Sequence, residues 1–222
     1  MLNAEQLVGI DQSHLIEIGQ QRLERRCAKA FIALQHGAAD AGFDIKICSG
    51  WRSFERQLAI FNGKAQGKRP LNNRQGELCS AEQMSDADLL DAILAWSALP
   101  GGSRHHWGTD VDIYDAKQIT LADLALEPWE YQQGGPNHAL SQWLDANMAA
   151  YGFFRPYQQE LGGVAPELWH LSYAPVAANA LEQLSLSLLE KTLTDSDISL
   201  KATILAQLPG LIERYCYRIS SP

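Results

Sequence analysis

The chain has 222 residues, 46% of them hydrophobic and 20% charged, with a formal net charge of −8. That is the composition of a folded domain with a full apolar core, which excludes disordered and fibrous classes. The acidic balance disfavours nucleic acid and anionic lipid as partners, since both demand a basic face.

The N-terminal stretch lacks the basic segment, apolar run and small-residue cleavage site of a secretory signal. No window reaches the roughly 18–20 continuous apolar residues of a membrane span. The four cysteines, Cys27, Cys48, Cys79 and Cys216, are scattered without a CxxC pair, which suits reduced thiols better than a disulfide frame. A cytoplasmic location is expected, with the periplasm as the alternative.

Between Ser13 and Ala41, the residues Ile16, Leu23, Cys27, Ala30, Phe31, Leu34 and Ala38 recur at helical spacing. Residues 1–42 therefore read as an N-terminal region built on one long amphipathic helix closed by Gly42. Phe43, Ile45 and Ile47 alternate with polar residues, as in a half-buried strand. Ser53 is placed to cap a short helix through Phe61, and residues 62–83 read as a polar surface loop. Ser85 with Asp88 has the form of a capping box before an apolar helix that runs to Pro100-Gly101-Gly102.

A second strand is expected at Thr109–Tyr114, and a loop over about 127–137. A helix carrying Leu140, Trp143, Leu144 and Met148 ends near Gly152. Further strands begin at Phe153 and span Leu168–Tyr173, and the tail from Pro175 is helical. The sum is one α+β domain over 1–222, with a mainly antiparallel central sheet flanked by helices. Its core lies at about 43–173, and 175–222 forms a helical extension.

Three polar clusters stand out: Ser49-Gly50-Trp51-Arg52-Ser53, Ser103 through Asp112, and Glu167-Leu168-Trp169-His170. A catalytic zinc takes three protein ligands and keeps one position open, and imidazole and carboxylate both suit it. His105, Asp112 and His170 supply two nitrogens and one oxygen. Glu167, three residues before His170, is placed as the base for metal-assisted hydrolysis. Seven residues on one helix would separate His105 from Asp112 by about 10 Å, so a glycine-bearing loop must fold His105 back toward a strand. On that strand Asp110, Asp112 and Tyr114 share one face, while Val111 and Ile113 point to the core. Asp110 is open to three readings: a partner that orients a ligand histidine, a contact for a basic substrate group, or a solvated charge. His14, His36 and His138 read as structural histidines, and His106 as a packing or supporting residue. Cys48 reads as a buried small hydrophobe.

Taken in this order, Ser103-x-His105-x-x-Gly108-x-x-x-Asp112 and Glu167-x-Trp169-His170 resemble the zinc D-alanyl-D-alanine carboxypeptidases and dipeptidases of the VanY/VanX type. These share their fold with lysostaphin-type endopeptidases and the hedgehog domain. The segment Ser49-Gly50-Trp51-Arg52-Ser53 is similar to that family's Ser-Gly-Tyr-Arg-Ser, and Tyr151-Gly152-Phe153 also has a counterpart there. The resemblance implies one zinc ion on His105, Asp112 and His170, with Glu167 as general base and Arg52 meeting the oxyanion. It further implies substrate contacts from Ser49, Gln57, Ser103, Asp110 and Trp169. Asp110 is a departure, because the family usually carries a small residue there. The implied substrate is a small peptide ending in D-alanine. An endopeptidase or L,D-carboxypeptidase of the same chemistry, or a zinc-containing module that binds without cleaving, are the alternatives.

Overall fold

The computed structural model describes residues 1–222. Asn3 caps a first short helix, α1 (Ala4–Leu7), through a capping box with Gln6. The long helix expected across Ser13–Ala41 is instead a hairpin followed by a shorter helix. Strands β1 (Leu15–Ile18) and β2 (Gln21–Glu24) pair antiparallel, and α2 spans Arg25–Asp40. A two-residue loop joins the strands, and its Gly19 takes φ +58°, which suits a tight hairpin. The Glu24 carboxylate then accepts from the amides of Arg26 and Cys27, so the helix begins at Arg25 and not at Ser13. Gly42 closes it as expected, at φ +98°.

Strand β3 (Ile45–Ser49) leads to α3 (Phe54–Ala65), capped by the Ser53 hydroxyl. The expected loop at 62–83 holds the end of α3 and a small hairpin, β4 (Leu71–Asn72) with β5 (Leu78–Cys79). Ser85 caps α4 (Asp86–Trp96), which stops four residues before the Pro-Gly-Gly segment. Then come β6 (Asp110–Asp115), a short helix α5 (Pro128–Tyr131) inside the expected loop, and α6 (His138–Asn147). The remaining elements are β7 (Phe153–Phe154), β8 (His170–Tyr173), α7 (Ala174–Gln183), α8 (Leu186–Thr194) and α9 (Lys201–Ile212).

The central sheet has the order β3-β6-β8-β7 and every pairing in it is antiparallel. Its two faces have different fates, because successive side chains on a strand point opposite ways. Val111 and Ile113 of β6 join Phe31 and Leu34 of α2 and Leu140 and Leu144 of α6 in one apolar cluster. Asp110 and Asp112 point to the other face. The register then sets Asp112 opposite both Ser49 of β3 and His170 of β8, a row across three strands.

A second apolar cluster is built largely by the tail. Ala177, Leu189, Leu193, Ile204 and Leu208 pack with Leu90, Ile93 and Leu94 of α4 and with Trp107. The helices from Ala174 onward thus complete a core and do not hang outside one. No helix is long and apolar enough to cross a membrane.

Candidate metal centre and cleft

His105 rides on a single 3-10 turn, Arg104–Trp107, that Gly108 ends in the left-handed region at φ +68°. A Cβ at Gly108 would lie 2.7 Å from the Glu24 amide nitrogen, so the turn can press against β2 only with glycine there. This folds His105 back over β6. Its Nδ1 lies 2.8 Å from the Gly50 carbonyl, to which it donates, and its Nε2 is left 3.3 Å from Asp112 Oδ2.

His170 is tied the other way round. Its Nε2 lies 2.9 Å from Asp110 Oδ1, while Nδ1 faces Asp112 Oδ1 and Glu167 Oε2, each at 3.3 Å. Each imidazole therefore has one nitrogen fixed from behind and one turned inward, which is how ligand histidines are oriented. One donor atom from each of His105, Asp112 and His170 lies within 4.8 Å of the others. Asp112 Oδ1 is buried without a hydrogen-bond donor, an expensive state unless a cation fills the gap. These three side chains fit a zinc ion in donor type, convergence and the orphaned oxygen.

The electrostatics agree. Burial alone would depress the His170 pKa, but the carboxylates of Asp110, Asp112 and Glu167 around the ring outweigh it and hold that pKa well above its ordinary value. Burial raises the Asp112 carboxyl, yet the two histidines pull it well below the carboxylate range. The pocket attracts positive charge, whether a proton or a metal.

Arg52 borders the same cleft. Its Nη1 donates to Gln57 Oε1 and its Nη2 to Ser49 Oγ, both at 2.8 Å, and Nη2 stands 3.9 Å from Asp112 Oδ2. Gln57 is itself anchored, donating to the Ala98 carbonyl at 2.7 Å. Ser49 and Gln57, expected to touch substrate, are thus placed behind the guanidinium and outside the cleft wall. Asp110 is also corrected as a substrate contact, being 0% exposed and taken up by protein partners. Ser103 and Trp169 do line the cleft, and the Ser103 hydroxyl is buried without a partner. Cys48 donates its thiol to the Asp112 carbonyl at 3.2 Å, and burial pushes its pKa far up, so it is no nucleophile.

The cleft has a volume of about 590 Å³ and runs from the β4–β5 hairpin to the segment before α5. Sequence reasoning missed several of its walls: Tyr157, whose ring centroid lies 5.0 Å from that of His170, and the exposed indole of Trp129. It missed Lys64 as well, since a lysine in the last turn of a helix carries no motif.

His106 proves to be structural. It is fully buried, donates from Nδ1 to the Arg52 carbonyl at 2.6 Å, and accepts the Gly101 amide at Nε2. An imidazolium has no acceptor, so the ring must be neutral, and burial brings its pKa down to about 3. Between about pH 6.5 and 3 the unfolded chain then binds a proton that the folded chain refuses. The contribution is complete above pH 6.5 and is lost as pH falls, at about 1.4 kcal/mol per unit. Denaturant titrations at pH 7 and pH 5 should show a shallower pH loss in His106→Gln than in the wild type. Equal slopes would contradict the neutral-ring assignment.

Residues 20–176 match the family model described as VanY: D-alanyl-D-alanine carboxypeptidase. An uncharacterized protein of Haemophilus influenzae is 35% identical over 120 residues, covering 53% of this chain and 92% of that protein. Among solved structures, VanYB in complex with D-alanine-D-alanine aligns at a TM-score of 0.55 and 24% identity, over 84% of this chain and 91% of that one. A vancomycin-resistance D,D-pentapeptidase, a VanY mutant in complex with Zn(II), aligns at 0.54 and 22% identity, over 87% and 90%. At these identities the two structures establish a shared fold.

Proposed function

From a chain that belongs to the VanY family of D-alanyl-D-alanine carboxypeptidases, we propose zinc-dependent removal of the terminal residue from cell-wall-type peptides ending in D-alanine. The observation that carries this reading is the convergence of two pre-oriented imidazole nitrogens and the Asp112 carboxylate, with the Glu167 carboxylate beside them. The VanY structure with Zn(II) supports the metal, and the VanYB structure with D-alanine-D-alanine supports the substrate.

His105, Asp112 and His170 hold the ion. The chemistry it supplies is Lewis-acid activation, which makes water nucleophilic near neutral pH and polarises the scissile carbonyl. Glu167 takes the proton from the attacking water and returns it to the leaving amine. Arg52, already held by Ser49 and Gln57, needs no reordering to meet the developing oxyanion. No side chain attacks the substrate, so no acyl-enzyme forms.

Lys64 binds the terminal carboxylate. Arg52 and Arg104 each give two guanidinium nitrogens to protein acceptors, with Arg104 Nη1 left unpartnered, whereas Lys64 in the cleft wall has no carboxylate or hydrogen-bond partner at all. Burial lowers its pKa, while the charge of Glu167, which lines the same cleft, opposes that fall. A terminal carboxylate is two bonds from the leaving nitrogen, so its partner must lie in the same cleft as the metal centre, as Lys64 does.

The test is turnover of peptides ending in D-Ala-D-Ala, as free acid and as C-terminal amide, before and after chelation and zinc return. The free acid should be the better substrate, and activity should vanish and return with zinc. Lys64→Met should erase most of the preference by raising KM for the acid about 10-fold or more, as expected when a charge-assisted contact of roughly 1.5–3 kcal/mol is removed. Indifference of the wild type to the terminal carboxylate would contradict the exopeptidase reading.

A further inference from the structure

His105 and His170 lean on different supports. The first donates to a neutral peptide carbonyl, whereas the second is backed by the Asp110 carboxylate. Asp110 is the first residue of β6, opposite Ser172 of β8 in the register, and has no exposed surface. Besides His170 it accepts from Arg104 Nε at 2.8 Å, Thr109 Oγ1 at 2.5 Å and Ser172 Oγ at 3.1 Å. Arg104 is 3% exposed, donates to Ser172 Oγ as well, and lies over the Trp107 and Phe154 rings at 4.9 and 5.8 Å.

A fully buried ion pair of this kind is a poor device for stability, because apolar residues of similar volume commonly do as well. What the carboxylate does and an apolar residue cannot do is accept the Nε2 proton of His170. That fixes the tautomer in which Nδ1 offers its lone pair to the cavity, and it raises the basicity of the ring. An uncompensated carboxylate there would add a third negative charge to Asp112 and Glu167. Arg104 cancels it from the far side.

We propose that Asp110 and Arg104 act as one buried positioning pair that holds His170 in its metal-facing tautomer and sets the zinc affinity of the centre. The inference rests on the reading of His170 as a zinc ligand. Asp110 touches neither substrate nor metal; it works through His170. Thr109 and Ser172 complete the carboxylate's hydrogen bonds, so the anion is desolvated at no loss of partners.

The test is zinc affinity of the full chain, by competition with a chromophoric chelator, in the wild type, Asp110→Asn and the double variant Asp110→Ala/Arg104→Met. Apoprotein stability is followed by denaturant titration, and the cobalt(II)-loaded forms by their visible absorption. The isosteric Asp110→Asn should bind zinc about 10–100-fold more weakly and shift the cobalt band. The double variant carries no stranded charge, so its apoprotein should be close to wild type in stability while its zinc affinity stays low. Unchanged zinc affinity in a folded Asp110→Asn, or a double variant with wild-type affinity, would overturn the pair's role. If zinc binding survives His170→Ala, the ligand reading fails and the pair falls with it. If zinc is lost in His170→Ala but unchanged in Asp110→Asn, the pair alone is wrong.

Discussion

Glu167→Gln is expected to lower kcat by roughly 10²–10⁴-fold, the usual range for a positioned acid–base group, while the protein keeps its zinc. The carboxylate is held at the centre by its backbone: the Glu167 amide donates to the Tyr157 carbonyl at 2.8 Å, and the His170 amide donates to the Glu167 carbonyl at 3.2 Å. Glutamine preserves that turn and the side-chain volume but cannot take a proton. Steady-state kinetics beside metal analysis of the same preparation separates the two effects. A glutamine variant with full zinc and near-normal kcat would remove Glu167 from the mechanism. The same variant also separates an enzyme from a zinc-containing binding module, which has no use for a base beside its metal.

Loss of the metal is expected to cost the fold as well as the activity. Without a cation, Asp112 keeps a buried oxygen with no donor, and it and Glu167 crowd two carboxylates around His170 Nδ1, each at 3.3 Å. A ligand that binds only the folded state at a thousand times its Kd adds about 4 kcal/mol of stability, so chelation should lower the Tm of the wild type by several degrees. His105→Ala and His170→Ala should purify with little zinc and show no further fall on chelation. Calorimetric scans with and without chelator check this. A chelator-induced fall in His170→Ala equal to that of the wild type would place the ion elsewhere.

The residues of this centre were legible because their spacing has a structural cause. The alternation Asp110-Val111-Asp112-Ile113 is that of a strand with one apolar face, and Gly108 is where the backbone must turn to bring His105 over it. The roles of Ser49 and Gln57 were not legible in the same way. Whether a polar side chain faces substrate or braces an arginine depends on distances across β3 and α3 that no local pattern encodes. Asp110 illustrates the point: three readings were open from sequence, and its burial against Arg104 and His170 argues against a substrate contact and a solvated charge.

The fold was read well where periodicity and caps agreed, as at Ser53 and Ser85, and badly where they competed. Ile16 and Leu23 fit a helical period by accident. Gly19 at a hairpin loop and Glu24 at a helix start were the signals that should have outweighed it. The tail shows a different limit. Its apolar faces predicted helices, but nothing local said that Leu189, Ile204 and Leu208 would share a core with α4. A partner 100 residues away in sequence leaves no trace in either segment alone.

The most direct test of the account is a single digest: zinc-loaded wild-type protein with a stem pentapeptide ending in D-Ala-D-Ala, the products read by mass spectrometry. One product pair is expected, free D-alanine and the tetrapeptide, formed with zinc and absent after chelation. Cleavage at an internal bond, or an intact pentapeptide in the presence of fully zinc-loaded protein, would contradict it.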